Sequence, residues 1–306
     1  MNSQITTAET TSSFQPGAAG IPVSEETTGE ASRPVGTERK SKSQALCEQA
    51  INRLAEALEA GQSEAIKQYL RVMSRFHHYS FSNQLLILVQ HPEATQVAGY
   101  QRWKALGRQV RQGEKAIHIL APIARKPKPE EVNGDMPEAR QPFGFRLAYV
   151  FDISQTVGKP LPEPPQAQGE PGANLEALKA LYGKHNIALE YRADLNGAEG
   201  LSAKGKVYIL SGLEPAREFA VLVHELAHEL LHAGERRQSL DRKAKETEAE
   251  AVAYVVGLQA GLDMNSASAD YISLYNGDKD TLRQSLQEIT RTAGEIIAAL
   301  PCGTAA

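Results

Sequence analysis

The chain has 306 residues, with 33 Lys+Arg against 37 Asp+Glu and a formal net charge of −4 at pH 7. A chain of this size can bury a sizeable core and most naturally divides in two. Its two cysteines, Cys47 and Cys302, are too few and too far apart for a disulfide framework or a cysteine-based zinc site, which fits a reducing compartment. No run of about 18 apolar residues and no basic segment leading into an apolar one is present, so the expected setting is the cytoplasm, away from any membrane.

Residues 1–42 are rich in Thr, Ser, Gly and Glu, bury little, and are expected to form a disordered tail. From Ser43 the pattern turns helical: Cys47, Ile51, Leu54 and Leu58 recur on one face, and Gly61 closes the segment. A second helix from Ser63 carries the stripe Ile66, Tyr69, Leu70, Met73 and Phe76. The run Asn83–Gln90 is apolar nearly all round, which predicts a buried helix stopping near Pro92, with Asn83 satisfying buried backbone groups. A turn at Gly107 and a basic stretch lead into a strand at Ile117–Leu120, which should pair with a second strand at Phe145–Ile153 across a polar loop at 125–142.

The proline-dense stretch 158–173 is the expected linker between domains at 43–157 and 174–300. Beyond it the pattern predicts a helix at 174–183, strands at 187–191 and 206–210, and helices at about 215–233, 241–260 and 280–299. The fold class is α+β, with two domains: an N-terminal helical and β-hairpin domain and a C-terminal domain of helices and short strands.

The sharpest chemical signal is His224-Glu225-Leu-Ala-His228. Histidines four apart on a helix present both imidazoles from one face and can share a zinc ion. Glu225, beside the first of them, is placed to act as general base on a water. A second frame, His228 to His232, overlaps it, but residues eight apart are about 80° out of phase on a helix, so three histidines do not comfortably hold one ion. His232 is therefore read as a cation or cap at the helix end before Gly234. A catalytic zinc ion needs a third protein ligand. The following helix offers Glu246, Glu248 and Glu250: Glu246 is taken as the ligand and Glu250 as its supporter, with Glu248 a competitor. Tyr254, Tyr271 and Tyr275 are candidates for an oxyanion partner but are expected to be packing residues.

The segment HELAHELLH followed by ETEAEAVAYVVG resembles the gluzincin-like metallopeptidase domain of the ImmA/IrrE type over residues 174–299. That resemblance implies a zinc-dependent protease acting on a protein substrate not yet identified, often a DNA-bound repressor. It also implies that the strand within Gly200–Leu210 aligns an extended peptide along its edge.

Between Gln62 and Glu130, eleven Lys or Arg stand against four Glu, a local excess of seven positive charges in a chain that is acidic overall. Aromatic residues are interleaved with these cations, a combination suited to single-stranded nucleic acid. The strings YSFSNQLLI at 79–87 and GYQRWKALGRQVRQGEKAIHI at 99–119 resemble the N-terminal domain of ArdC-type antirestriction proteins. That resemblance implies a single-stranded-DNA-binding domain joined to a zinc metallopeptidase-like domain, carried by plasmids and other mobile elements to help incoming DNA evade restriction. On this reading Arg71, Arg75, Arg102, Lys104, Arg108, Arg111 and Lys115 meet phosphates, and Tyr100 and Trp103 stack on bases. Two alternatives are a non-catalytic single-strand protector with a structural zinc site, and a regulatory protease that cleaves a repressor.

Overall fold

The computed structural model describes residues 35–123, 144–161, 171–232, 240–264, 271–275 and 277–301. The expected polar loop at 125–142, most of the expected linker and Gly234 lie outside them, as does the expected tail up to residue 34. Helix α1 spans Val35–Glu59 and so begins inside the stretch expected to be tail.

Helix α2 (Glu64–Arg75) has apolar residues on more than one face, and each face finds a separate partner. Ile66, Tyr69, Leu70 and Met73 join the large core, while Val72 and Phe76 join a smaller one with Ile87, Ile117, Ile119 and Val150. Helix α3 (Phe81–Gln90) is split in the same way, with Leu85 and Leu86 in the large core and Ile87 in the small one. Its Ser80 cap accepts a hydrogen bond from the Asn83 backbone.

Three short strands form the first sheet, in the order β1 (Val97–Gly99), β4 (Gly144–Asp152), β3 (Ile117–Ile123), all antiparallel. The expected pairing of 117–120 with 145–153 is present, with Ile117 opposite Val150. Polar side chains of α3 cover the free edge of β3. Asn83 Nδ2 donates to the Leu120 carbonyl at 2.9 Å and Asn83 Oδ1 accepts from the Leu120 N–H at 2.8 Å. Gln90 makes the equivalent pair of bonds with His118, both 2.9 Å. An edge closed in this way offers no template to another strand, and it explains the polar residues in an otherwise apolar helix. Helix α4 (Tyr100–Ala105) follows β1, and a two-stranded sheet pairs β2 (Arg108–Val110) with β5 (Thr156–Gly158).

Asp152 ties these strands together. Its carboxylate accepts hydrogen bonds from the backbone N–H groups of Thr95 (2.7 Å), Gln96 (3.0 Å) and Ser154 (2.8 Å), while the Asp152 N–H donates to Gln155 Oε1 at 2.8 Å. Burial works against the charge, but these donors outweigh it and hold the carboxyl below its ordinary value.

After α5 (Ala173–Lys184) comes a second three-stranded sheet, ordered β6 (Ala188–Arg192), β8 (Lys206–Leu210), β7 (Gly200–Ser202). Strands β6 and β8 are parallel; β7 runs antiparallel on the edge. Helices α6 (Pro215–Leu231), α7 (Arg242–Gln259) and α8 (Lys279–Ala299) complete the chain. Pro215 stands in the first turn of α6, where its missing N–H costs nothing, and Asp241 caps α7 by accepting from the Ala244 N–H at 2.7 Å.

The large core runs through α1, α2 and α3 into α6, α7 and α8, so residues on both sides of the proline-dense stretch share it. A buried polar cluster marks the junction: Tyr69 Oη of α2 lies 3.3 Å from both Gln84 Oε1 of α3 and Thr290 Oγ1 of α8. Two regions that appear separable in the sequence are thus packed together through helices that are apolar on more than one face. Among the described residues, no helix is long and apolar enough to cross a membrane.

Candidate metal centre and nucleic-acid face

Helix α6 buries Phe219, Leu222, Val223, Leu226 and Leu231 in the core, which turns the opposite face, with His224 and His228, toward α7. Helix α7, with Ala249, Ala251 and Ala253 buried, packs against α6 and brings Glu246 to the two imidazoles. His224 Nε2 and His228 Nε2 are 3.1 Å apart, and Glu246 Oε2 is 3.4 Å from each. Donors bound tetrahedrally at about 2.1 Å stand about 3.4 Å apart, so this triangle has the dimensions of three corners of a zinc site. Two imidazoles and a carboxylate, with the fourth direction open to a cleft, form a donor set suited to a divalent ion, and His224, His228 and Glu246 are the described residues whose ligand atoms cluster in this way.

The far sides of the rings are also held. His224 Nδ1 lies 3.5 Å from Glu250 Oε2, the role expected of Glu250. His228 Nδ1 is 3.1 Å from His232 Nδ1, and His232 Nε2 is 3.0 Å from Glu248 Oε2. His232 and Glu248 are 3 % and 0 % exposed, so this pair lies inside the protein. His232 stands at the C-cap of α6, as expected, but with its ring turned inward, and the Glu248 carboxylate meets that ring and lies outside the donor triangle. Together they form a relay behind His228, the kind of outer carboxylate–histidine support that fixes the orientation of a ligand imidazole. The sequence signal for this was the second frame: His232 falls one turn after His228, displaced around the helix by enough to sit behind the first ring.

Glu225 is buried beside the triangle. Burial raises its carboxyl above the ordinary value, while His224 and His228 pull it down. Burial disfavours a charged His224, yet hydrogen bonds to Glu246 and Glu250 outweigh it and lift the imidazole to about 9; Glu246 is held far below the usual carboxylate range by the two histidines.

A cleft of about 880 Å³ opens onto these groups, bounded on one side by Gly200, Leu201 and Ser202 of β7 and on the other by α7, Leu262 and Met264. Strand β7 approaches α6 so closely that a Cβ on Gly200 would stand 2.5 Å from Glu225 Oε1; only glycine fits. The Ser202 hydroxyl and the Gly205 N–H both bond Glu229, fixing the β7–β8 turn to the metal-facing helix. None of the three tyrosines considered for an oxyanion role lines this cleft. Tyr254 and Tyr271 are buried against each other with ring centroids 6.4 Å apart, and Tyr275 Oη bonds Glu59 at 2.8 Å.

The expected DNA-contacting residues are spread more widely. Trp103 is 2 % exposed, and its Nε1 donates to the Phe151 carbonyl at 2.8 Å. An indole buried in this way has no face to offer a base, so Trp103 is a packing residue. Arg71 is paired with Glu64 at 2.8 Å and lies against Tyr254, and Arg75 donates to the Ala94 carbonyl at 3.1 Å. Arg108 bonds Thr156 at 2.8 Å and the Lys159 carbonyl at 2.5 Å, and Arg111 pairs with Glu114 at 2.6 Å. Arg102, Lys104 and Lys115 are exposed, as is Tyr100.

Residues 44–151 match the sequence model of the N-terminal domain of anti-restriction factor ArdC. The chain shares its fold with the antirestriction protein ArdC of plasmid R388: the metal-free crystal structure aligns with a TM-score of 0.52 at 19 % identity, covering 83 % of this chain and 97 % of that one. The Mn(II)-bound crystal structure of the same protein aligns with a TM-score of 0.50 at 17 % identity over the same shares. An uncharacterized Bacillus anthracis protein, pXO2-81, is 28 % identical over 279 residues, 76 % of this chain; the match spans about half, 47 %, of that protein.

Proposed function

We propose that this chain is an ArdC-type antirestriction protein of mobile genetic elements, which binds single-stranded DNA through its N-terminal region and cleaves a DNA-associated protein at a zinc site of the ImmA/IrrE type. The observation that carries the enzymatic half is the donor triangle of His224, His228 and Glu246 with Glu225 beside it, facing an open cleft. The manganese-bound relative supports a divalent ion in this fold, and two imidazoles with one carboxylate favour zinc. The match of residues 44–151 and the seven-charge basic excess between Gln62 and Glu130 support the DNA-binding half.

A divalent ion held by the triangle would supply Lewis acidity at the mouth of the cleft. Edge strand β7 would align the substrate backbone as an added strand, its register set by the Glu229 bonds to Ser202 and Gly205. Glu225 would accept the proton of the attacking water as the carbon–oxygen bond forms. It would then pass that proton to the departing amine as the carbon–nitrogen bond breaks. A raised carboxyl in a buried position suits both transfers.

The test compares the intact protein with Glu225→Gln for zinc content, single-strand binding and DNA-dependent proteolysis of proteins bound to that DNA. Zinc and DNA binding in both, with cleavage by the intact protein alone, is the expected result. No cleavage by either would leave a single-strand protector in which the ion has a structural role.

A further inference from the structure

The outer face of the β1–β4–β3 sheet has an inverted pattern. A sheet packed on one side normally turns polar residues to water on the other. Here Val150 and its neighbours Ile117 and Ile119 face the small core, and the alternate positions of β4, Phe145, Leu147, Tyr149 and Phe151, point away from it. Phe145 is 49 % and Tyr149 50 % exposed. In the strand register Tyr149 stands opposite His118, their ring centroids 5.1 Å apart and edge to face. On the other flank, Gly99, the last residue of β1, pairs with Val150, and Tyr100, 47 % exposed, follows it as the first residue of α4. Tyr149 of β4 and His118 of β3 therefore begin a row that Phe145 extends along β4, with Tyr100, the first residue of α4, next after the end of β1.

We propose that this row is a base-stacking platform for single-stranded DNA; the inference rests on the single-strand reading above and assigns where the bases lie. The charge around the platform selects this occupant over an apolar protein surface. From Tyr100 to Lys115 the chain carries five cations, Arg102, Lys104, Arg108, Arg111 and Lys115, against the single acid Glu114, and Arg102, Lys104 and Lys115 are exposed. Rings that accept the face of any base, flanked by cations that accept the backbone, are the two parts a sequence-tolerant single-strand site requires. Aromatic residues on an open sheet are a known way of presenting such rings. The platform takes over the stacking role that Trp103, buried and bonded to the Phe151 carbonyl, does not have.

The experiment is fluorescence anisotropy of a labelled oligo(dT) and of a labelled duplex with the full chain. Variants are Tyr149→Ala, Phe145→Ala and the conservative Tyr149→Phe. Losing one stacked base should weaken oligo(dT) binding about 5- to 100-fold in each alanine variant. Tyr149→Phe should bind as the intact chain does. The slope of log affinity against log salt should stay unchanged, because no phosphate contact is removed; Lys104→Ala should instead lower that slope by about 0.7. Oligo(dT) binding by both alanine variants as tight as that of the intact chain would overturn the platform and leave the single-strand reading standing. An equal loss for duplex, whose bases are not available to stack, would also overturn it. Failure of the intact chain to bind oligo(dT) would remove the single-strand reading itself.

Discussion

The metal-facing helices and the N-terminal sheet assemble their sites by different means. In the first, His224, Glu225 and His228 lie within five residues of one helix, and Glu246 and Glu250 lie within five of the next. Helical periodicity alone nearly fixes their relative positions, and the packing of α6 on α7 does the rest. In the second, His118 and Tyr149 come from two strands and meet only through their register, and Tyr100 opens α4 directly after β1. The first arrangement tolerates changes elsewhere in the chain. The second depends on whatever fixes β1 against β4, and here that is Asp152.

The comparison can be tested first where the effect is largest. Glu225→Gln should reduce any proteolytic rate by about 10²- to 10⁴-fold, the range for a lost general base, while zinc content stays the same; a loss of both would make Glu225 part of the metal's support instead. Next comes the relay behind His228. Glu248→Ala removes the carboxylate from a buried imidazole, which should cost about 1–3 kcal/mol in unfolding free energy, and should weaken zinc binding about 10- to 100-fold in competition with a chelator. Unchanged zinc affinity would show that the pair supports the fold and not the ion.

The N-terminal sheet should respond to acid in a particular direction. The Asp152 carboxyl is lower in the folded chain than in the unfolded one, so its stabilisation is fully present above about pH 4 and is lost as pH falls through the folded value. Asp152→Ala leaves the Thr95, Gln96 and Ser154 N–H groups without their acceptor. It should cost about 1–3 kcal/mol and remove that part of the acid dependence, measured by denaturant unfolding from pH 3 to 7. It should also weaken oligo(dT) binding by releasing β1, while zinc affinity stays as it was. The smallest effect expected is that of Trp103→Phe, which keeps the packing and loses one hydrogen bond to Phe151. A cost of about 1 kcal/mol with unchanged oligo(dT) affinity would place Trp103 in the core; a large loss of affinity with the fold intact would return it to the DNA face.

The same contrast explains what could be read from the sequence. The helices, the β3–β4 pairing and the HExxH arrangement follow from periodicity and spacing over short stretches. His232 was harder to read, because its distance from His228 fits an exposed helix end as well as a buried relay; the deciding partner, Glu248, lies on another helix. In the sequence Trp103 and Tyr100 are alike as aromatic residues among cations. Only burial shows that Trp103 is packed away while Tyr100 is exposed, and only register brings Tyr149 beside His118. The shared core was hidden for a related reason: a helix that is apolar on two faces, such as α2, announces that it is buried without saying which segments cover it.

The most direct measurement is X-ray absorption at the zinc edge on the loaded full-length chain, together with zinc titration of Glu246→Gln and Glu250→Gln. The account predicts one ion per chain, bound by two imidazoles and one protein carboxylate. It also predicts loss of tight binding with Glu246→Gln and only a weakened site with Glu250→Gln. A site of three imidazoles, or tight binding that survives Glu246→Gln, would contradict it.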